Sequence, residues 1–414
     1  MKLLPGSTAW VVVALLTLRA AAQTASRPDD EAKTTPPVPP APYVGFAPSP
    51  APLRIENGNA SLQLGLLAQP QFEMAGAPDA DSTTKNLFLR RIRFMLGGTL
   101  FKDLEYFFDT DYPDLFKVDP ANQSGGTGKN APGLNVQDAF VTFRPVGNLI
   151  EADAGFMLPP LSHNAVQGAG TLYSSDYFVN SFRRNVLSNL DPFGSSGQSP
   201  AGRDLGVQLR GLVLGDHLEY RAGLFQGVRV GPLPAMGMGT AGVVGGNNFF
   251  RVAARLQVNV LDAEPGYFYQ GTYLGTKKIL SFGGFYDFED QYKFRGVDAI
   301  IDLPAGPGII TAQANFVQWD GGNFIMTLPE ATALMAEAGY LVRAIMLSPI
   351  ARVERLSFSR PTAASPSEDR YGGGLAFWPY GHNSNLKAFF ARVHRDPAPH
   401  DFNQINVQWQ LFFY

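Results

Sequence analysis

"FNQINVQWQLFFY" (402–414) closes the chain. Read at period two, Ile405, Val407, Trp409, Leu411 and Phe413 share one side, and Gln404, Asn406, Gln408 and Gln410 share the other. A strand built this way wants apolar surroundings on one face and water on the other. Chain ends usually fray into polar tails because nothing holds them down, yet here both rows run to the terminus. The row puts Phe413 on the apolar face and leaves Tyr414 one residue over. A half-buried soluble sheet and a membrane barrel both satisfy this pattern, so the rest of the chain must choose.

The same alternation recurs along the chain. "LEYFFDTDY" (104–112) sets Leu104, Tyr106, Phe108 and Tyr112 against Glu105, Asp109 and Asp111. "FFRVAARLQVNV" (249–260) sets Phe250, Val252, Ala254, Leu256, Val258 and Val260 against Arg251, Arg255, Gln257 and Asn259. "RDLGVQLRGLVL" (203–214) sets Leu205, Val207, Leu209 and Val213 against Asp204, Gln208 and Arg210. Strand segments of about ten residues with one apolar and one charged face are the signature of an outer-membrane barrel. A β-sandwich has one thin core, and these apolar faces are too many for it.

Candidate strands fall near 59–73, 86–97, 103–112, 135–144, 149–157, 203–214, 217–229, 248–260, 278–289, 293–303, 309–319, 339–347, 350–358, 370–378, 385–395 and 401–413. Tight connections ("GGTLFK", "PVGN", "GD", "PAGPG", "SP") alternate with loose ones at 113–134, 158–202, 230–247 and 320–338. Short turns at one rim and long loops at the other characterise such barrels. The fold class is therefore all-β: a transmembrane antiparallel β-barrel of about sixteen strands. "DAEPGYFYQGTYLGTKK" (262–278) breaks the rhythm; it reads either as a long turn at the short-turn rim or as two further strands, making eighteen. The last strand would pair with the first to leave no open edge in lipid.

The N-terminal residues read as an export signal over 1–22: Lys2, the apolar run "AWVVVALLTL" (9–18) and small residues Ala20 and Ala22 before Gln23. The run falls well short of the ~20 residues of a membrane helix. Residues 23–58 are proline-rich and read as an extended periplasmic linker, which leaves 59–414 for the barrel. A net charge of −3 argues against nucleic-acid binding. With no cysteine in the chain, disulfides, thiol catalysis and cysteine-ligated metals are excluded.

The longest loose connection, 158–202, spans about 45 residues, a length that is normally functional or disordered. Rich in aromatics (Tyr173, Tyr177, Phe178, Phe182) and carrying Arg183 and Arg184, it is expected to fold inward and narrow the channel. Tyr267, Phe268, Tyr269 and Tyr273 are expected in the interfacial aromatic girdle.

"LFLRRIRFMLGGTLFKDLEYFFDTDY" (87–112) resembles the phosphate-selective porin O and P family: an arginine-rich strand, a glycine turn and an acidic-aromatic strand in that order. "VQDAFVTFRP" with "LIEADAGFMLPPLS" (136–162) and "GRDLGVQLRG" with "LEYRAGLFQG" (202–227) agree. The resemblance implies a sixteen-stranded homotrimeric porin whose third loop folds inward and whose lumen cations line the path of the solute. It does not fix phosphate as that solute, and the family's lysine cluster is not evident here.

Alternation predicts that Arg91, Arg93, Arg210, Arg221, Arg251, Arg255, Arg343 and Arg352 point inward, where with Arg183 and Arg184 they could form a series of anion sites. Glu105, Asp109, Asp111 and Asp138 share those faces and would pair with them. Five scattered histidines show no metal-ligand spacing, "GGTGKN" (125–130) lacks the residues of a phosphate loop, and no catalytic set is discernible. No cofactor is called for. The sequence thus reads as a non-enzymatic outer-membrane porin that passes small hydrophilic or anionic solutes, phosphate among them, surrounded by outer-membrane lipid. The competing class is a structural or adhesive barrel with a blocked pore.

Overall fold

The computed structural model describes residues 52–77, 80–118, 133–178, 180, 202–227, 249–325, 328–363, 365–398 and 400–414. The expected signal peptide, most of the proline-rich segment, and Arg183 and Arg184 lie outside the described residues. So does the "GGTGKN" segment.

Among the described residues seventeen strands follow in chain order: β1 (Leu53–Asn57), β2 (Ala60–Ala77), β3 (Ala80–Phe101), β4 (Leu104–Asp111), β5 (Asn135–Val146), β6 (Ile150–Met157), β7 (Asp204–Val213), β8 (Leu218–Phe225), β9 (Arg251–Asn259), β10 (Ile279–Glu289), β11 (Tyr292–Ala305), β12 (Gly308–Asp320), β13 (Ala331–Val342), β14 (Leu347–Phe358), β15 (Ser367–Tyr380), β16 (Ser384–Asp396) and β17 (Phe402–Phe413). From β2 to β17 each pairs antiparallel with its sequence neighbour, and β17 pairs with β2 (Gln404↔Ala75 through Phe413↔Leu66). The barrel is thus closed by sixteen strands, each with a neighbour on both sides, as a bilayer demands.

The remaining strand, β1, sits on the seam. Leu53 pairs with Leu64, just past the Phe413↔Leu66 pair, so β1 takes up the side of β2 where β17 stops. The sheet therefore begins at Leu53, inside the segment expected to be a linker. Eighteen strands are not formed: 262–278 contains no strand.

One expected strand is displaced. The segment foreseen at 339–347 is β13 at Ala331–Val342, and the chain turns at 343–346 rather than at "SP". The reason lies in "ATALMAEA" (331–338), which shows no apolar–polar alternation. Its inward side chains Ala331, Ala333 and Met335 are covered by other protein instead of water, so both faces are apolar.

Elsewhere the two rows separate as expected. Leu205, Val207 and Leu209, with Leu256, Val258, Trp409 and Leu411, are exposed on the outside, the side that would face lipid. Gln404, Asn406, Gln408 and Gln410 face inward, and Gln408 and Gln410 are wholly buried. Tyr414 also turns inward. Its ring lies over Gly65 and Gly97, where any Cβ would collide with it, and meets Phe107 edge-on at 5.6 Å. No helix among the described residues is long and apolar enough to cross a membrane, which says nothing of crossing by strands.

Candidate functional site

Two segments occupy the barrel interior, one entering from each rim. The first is the third long-rim connection, described over 158–178 and folded inward as expected. Leu161, Ala165 and Phe178 pack on an apolar stretch of the inner wall that includes Phe285, Phe294, Val317, Trp319 and Met335. Wall side chains satisfy the loop's main chain, since a buried backbone carbonyl needs a donor. Arg255 Nη1 donates to Leu161 O (3.1 Å), Gln410 Nε2 to Gly170 O (2.7 Å), and Lys387 Nζ to Leu172 O (2.7 Å) and Ser174 O (3.1 Å). Arg352 donates to Asp176 O and Tyr177 O.

The loop ends its crossing at Asp176, whose carboxylate accepts from Arg90 (3.0 Å) and Arg91 (2.6 Å). Two consecutive arginines cannot share a face in a regular strand. Here Pro70 lacks an N–H, and the β2–β3 register slips between Ala68↔Ile92 and Pro70↔Leu89. Arg90 and Arg91 together oppose Gln69 as a β-bulge, and both turn inward. Burial alone would raise the Asp176 carboxyl, but these two guanidiniums hold it well below its ordinary range.

The second segment is 260–278, which connects β9 to β10 at the short-turn rim. Tyr267, Tyr269 and Tyr273 are buried inside the barrel and do not belong to an outer girdle. Arg221 on β8 donates to Tyr267 O (2.7 Å) and Gly266 O (3.1 Å), and Arg210 to Pro265 O (3.2 Å). These wall cations draw the turn's carbonyls inward, and burial raises the Tyr267 and Tyr273 hydroxyls well above their ordinary value.

The two segments bind each other. Gly168 N donates to Tyr269 O and Tyr269 N to Val166 O (3.0 and 3.2 Å), a short parallel bridge. Tyr267 Oη donates to Leu158 O (2.9 Å), and the Tyr269 ring stacks on His163 at 4.4 Å. His163 Nε2 lies 3.0 Å from both Glu264 oxygens.

The sequence-predicted arginines are found as follows. Arg93 pairs with Asp111 (3.0 Å) and Asp109 (3.7 Å); Arg210 with Glu151 and Asp153; Arg221 with Glu219. Arg251 pairs with Asp287 through two bonds of 2.8 Å, and Arg255 with Asp298 through bonds of 2.6 and 2.8 Å. Arg352 pairs with Glu337 and Glu354. All of these face inward, and each has a carboxylate partner. Arg343 is the exception in place: it lies in the β13–β14 turn, not on a strand. Among the expected acidic partners, Glu105 pairs with Arg144 (3.0 Å) and Asp138 accepts two bonds from Arg203.

Sequence reasoning missed Arg90, Asp176, Arg203, Lys387 and the His163–Glu264 pair. Pro70 was the one signal for the bulge that turns Arg90 inward. The others lie in connections or among apolar neighbours where no period marks them.

Among the described residues the interior keeps open chambers. One, of about 580 Å3, is lined by Arg352, Glu354, Glu368, Arg370, Arg395 and Asp176 among others. Within it Glu368 pairs with both Arg370 and Arg395. A second of about 180 Å3 and a third of about 370 Å3 share Phe107, Phe268 and Tyr414 as common wall. These three rings form a neck between the two. No group of three or more His, Cys, Asp or Glu side chains among the described residues is arranged to hold a metal.

The sequence matches no protein-family model and no curated protein. In structure the chain resembles the anion-selective porin from Comamonas acidovorans, with 12% identity and a TM-score of 0.54 over 86% of this chain and 100% of that one. It also resembles the outer membrane channel DcaP of Acinetobacter baumannii (12% identity, TM-score 0.49, 86% and 99% covered). Outer-membrane expressed OmpT of Vibrio cholerae is similar in the same way (11% identity, TM-score 0.49, 87% and 99% covered). At such identity the likeness is one of fold: a closed sixteen-stranded barrel of the outer-membrane porin kind.

Proposed function

We propose that the protein is an outer-membrane channel through which small hydrophilic solutes diffuse passively. The observation that carries this reading is the closed sixteen-stranded barrel with an apolar outer row, whose charged interior keeps chambers on both sides of an inward-folded third loop. Charged walls then bias which ions enter, with several moderate sites in series and no deep trap. The arginine series expected from the sequence is matched by carboxylates along the wall, which favours weak over strict ion selectivity. An anion or phosphate preference would rest on Arg352, Arg370 and Arg395, which line the 580 Å3 chamber together. The homotrimer implied by the resemblance belongs to the same proposal, as does export to the outer membrane.

Planar-bilayer recording of the purified protein tests the reading. Discrete conductance steps are expected, and their absence sinks it. Cation preference without block by phosphate removes the anion version and leaves a general channel. A second reading, a structural barrel with a blocked pore, draws support from how completely the loop and the turn fill the interior; it predicts no steps at all.

A further inference from the structure

The two inserted segments do not fill the barrel evenly. On the β10 to β14 side, Leu161, Ala165 and Phe178 of the loop pack against Phe285, Val317 and Met335 of the wall. Nearer the short-turn rim, Tyr173 and Leu274 cover Ile309, Leu341 and Trp378. Side chains packed this closely leave no passage for a solute.

The open space lies on the other side. The chamber of about 580 Å3 is walled by β14 to β17 through Arg352, Arg370, Ala391 and Gln404, and reaches Ala363 and Pro366 at the long-loop rim. The chamber of about 180 Å3 is walled by β2, β3, β4 and β17 through Leu67, Met95, Phe107 and Phe412. The chamber of about 370 Å3 reaches the short-turn rim, where Arg54, Ser61 and Thr99 line it. The three thus run from rim to rim, and neighbours share walls. The second and third meet at the neck of Phe107, Phe268 and Tyr414. The first and second have only Tyr177 in common among the described residues.

Tyr177 is held from several directions. Its hydroxyl donates to Gln167 O (2.8 Å), its N–H donates to Asp176 Oδ1 (2.9 Å), and its carbonyl accepts from Arg352 Nη2 (3.0 Å). Arg91 lies over its ring, 5.3 Å from the centroid. Swinging the ring aside would forfeit the hydroxyl bond and the cation–π contact, so it stands as a fixed barrier. Arg93 and Arg203 also line the middle chamber, but Asp111 and Asp138 pair with them. Bounded by rings at both ends and the smallest of the three, that chamber selects by size.

We propose that solutes cross off the barrel axis, through these three chambers in series, and that the Tyr177 ring sets the largest solute that passes from the first to the second. The inference rests on the diffusion-channel reading and adds to it the route and the residue that limits size.

The test uses the full-length protein in two assays. In proteoliposome swelling, Tyr177→Ala should raise the rate in sucrose relative to arabinose several-fold, whereas Tyr177→Phe, which keeps the ring, should leave the ratio near that of wild type. The second assay needs no change at Tyr177 and exploits a chain without cysteine. Thr171→Cys places one thiol on the middle chamber, and Val317→Cys places one on the filled side. In planar bilayers, 2-sulfonatoethyl methanethiosulfonate should reduce the current of Thr171→Cys and leave that of Val317→Cys unchanged. An unaltered sugar ratio in Tyr177→Ala overturns the size limit, and block of Val317→Cys without block of Thr171→Cys overturns the route; either result leaves a conducting channel intact. Conductance steps in Tyr177→Ala but not in wild type keep the threshold and sink the open-channel reading. Steps in neither sink both.

Discussion

His163 and Glu264 stand 101 residues apart in the chain, yet His163 Nε2 lies 3.0 Å from both oxygens of the Glu264 carboxylate. The contact joins the loop that enters from the long rim to the turn that enters from the short rim, and it makes one constriction of the two. The pair is ringed by supporting groups: Tyr273 and Gln257 donate to Glu264, Tyr269 stacks on the imidazole, and Asp298, itself bound by Arg255, accepts from His163 N.

This contact should be sensitive to acid. Burial alone would raise the Glu264 carboxyl, but His163, Tyr273 and Gln257 outweigh it and hold the carboxyl below its ordinary value of 4.5. A carboxyl depressed in the folded state contributes stability above its unfolded value and loses it as pH falls through the folded one. The constriction should therefore be tight at neutral pH and loosen as pH falls below 4.5, with larger, noisier current steps. Glu264→Gln should show that behaviour already at neutral pH. If wild type and Glu264→Gln respond alike to acid, another group governs the response.

Asp176 gives a prediction with a sign. Its carboxylate is shared by Arg90 and Arg91, and Arg91 is only 3% exposed. Asp176→Asn leaves two adjacent guanidiniums without their carboxylate from the loop, although Asp114 still pairs with Arg90. The reversal potential in a potassium chloride gradient should move toward anion preference. A shift toward cations, or none, would show that these arginines do not face the conducting path.

Arg251 and Asp287 separate a structural from a solute-binding role for the arginine row. Both are almost fully buried and joined by two bonds of 2.8 Å. Arg251→Ala strands a buried carboxylate, a loss on the order of 3–5 kcal/mol, and thermal unfolding should occur at clearly lower temperature. The double change Arg251→Ala with Asp287→Ala should recover much of the loss while leaving ion selectivity unchanged. Altered selectivity with little change in stability would assign Arg251 to the solute path.

The same physics explains what could be read from the sequence. Strands with lipid on one side and charge on the other announce themselves by period two, and β4, β7, β9 and β17 were legible almost to the residue. Where loop side chains replace water on the inner wall, as at Ala331, Ala333 and Met335, alternation vanishes, and β13 was misplaced. Inward arginines were legible because direction follows parity. Asp109 and Asp111, which pair with Arg93, were legible by the same parity; Asp176, which binds Arg91, and Glu264, which binds His163, were not, since both sit in connections that only the folded barrel brings to the wall. Arg90 escaped because a bulge at Pro70 overrides parity.

The terminal tyrosine offers the last test, because two glycines under one ring predict different failures. A Cβ at Gly97 would strike the hydroxyl end of Tyr414, a side chain with room to swing. A Cβ at Gly65 would approach Tyr414 Cδ2 at 2.6 Å and also the Phe413 carbonyl oxygen at 2.8 Å, which is backbone on the closing seam. Gly97→Ala should therefore fold, push the ring into the neck beside Phe107 and Phe268, and lower single-channel conductance. Removing the ring with Tyr414→Ala should restore that conductance. Gly65→Ala should instead disturb the β17–β2 pairing and reduce the yield of heat-modifiable barrel on gels, and Tyr414→Ala should not rescue it, because the Phe413 carbonyl remains in the way. Rescue of both variants by Tyr414→Ala would mean that the ring alone, and not the seam's backbone, sets the need for glycine at residue 65.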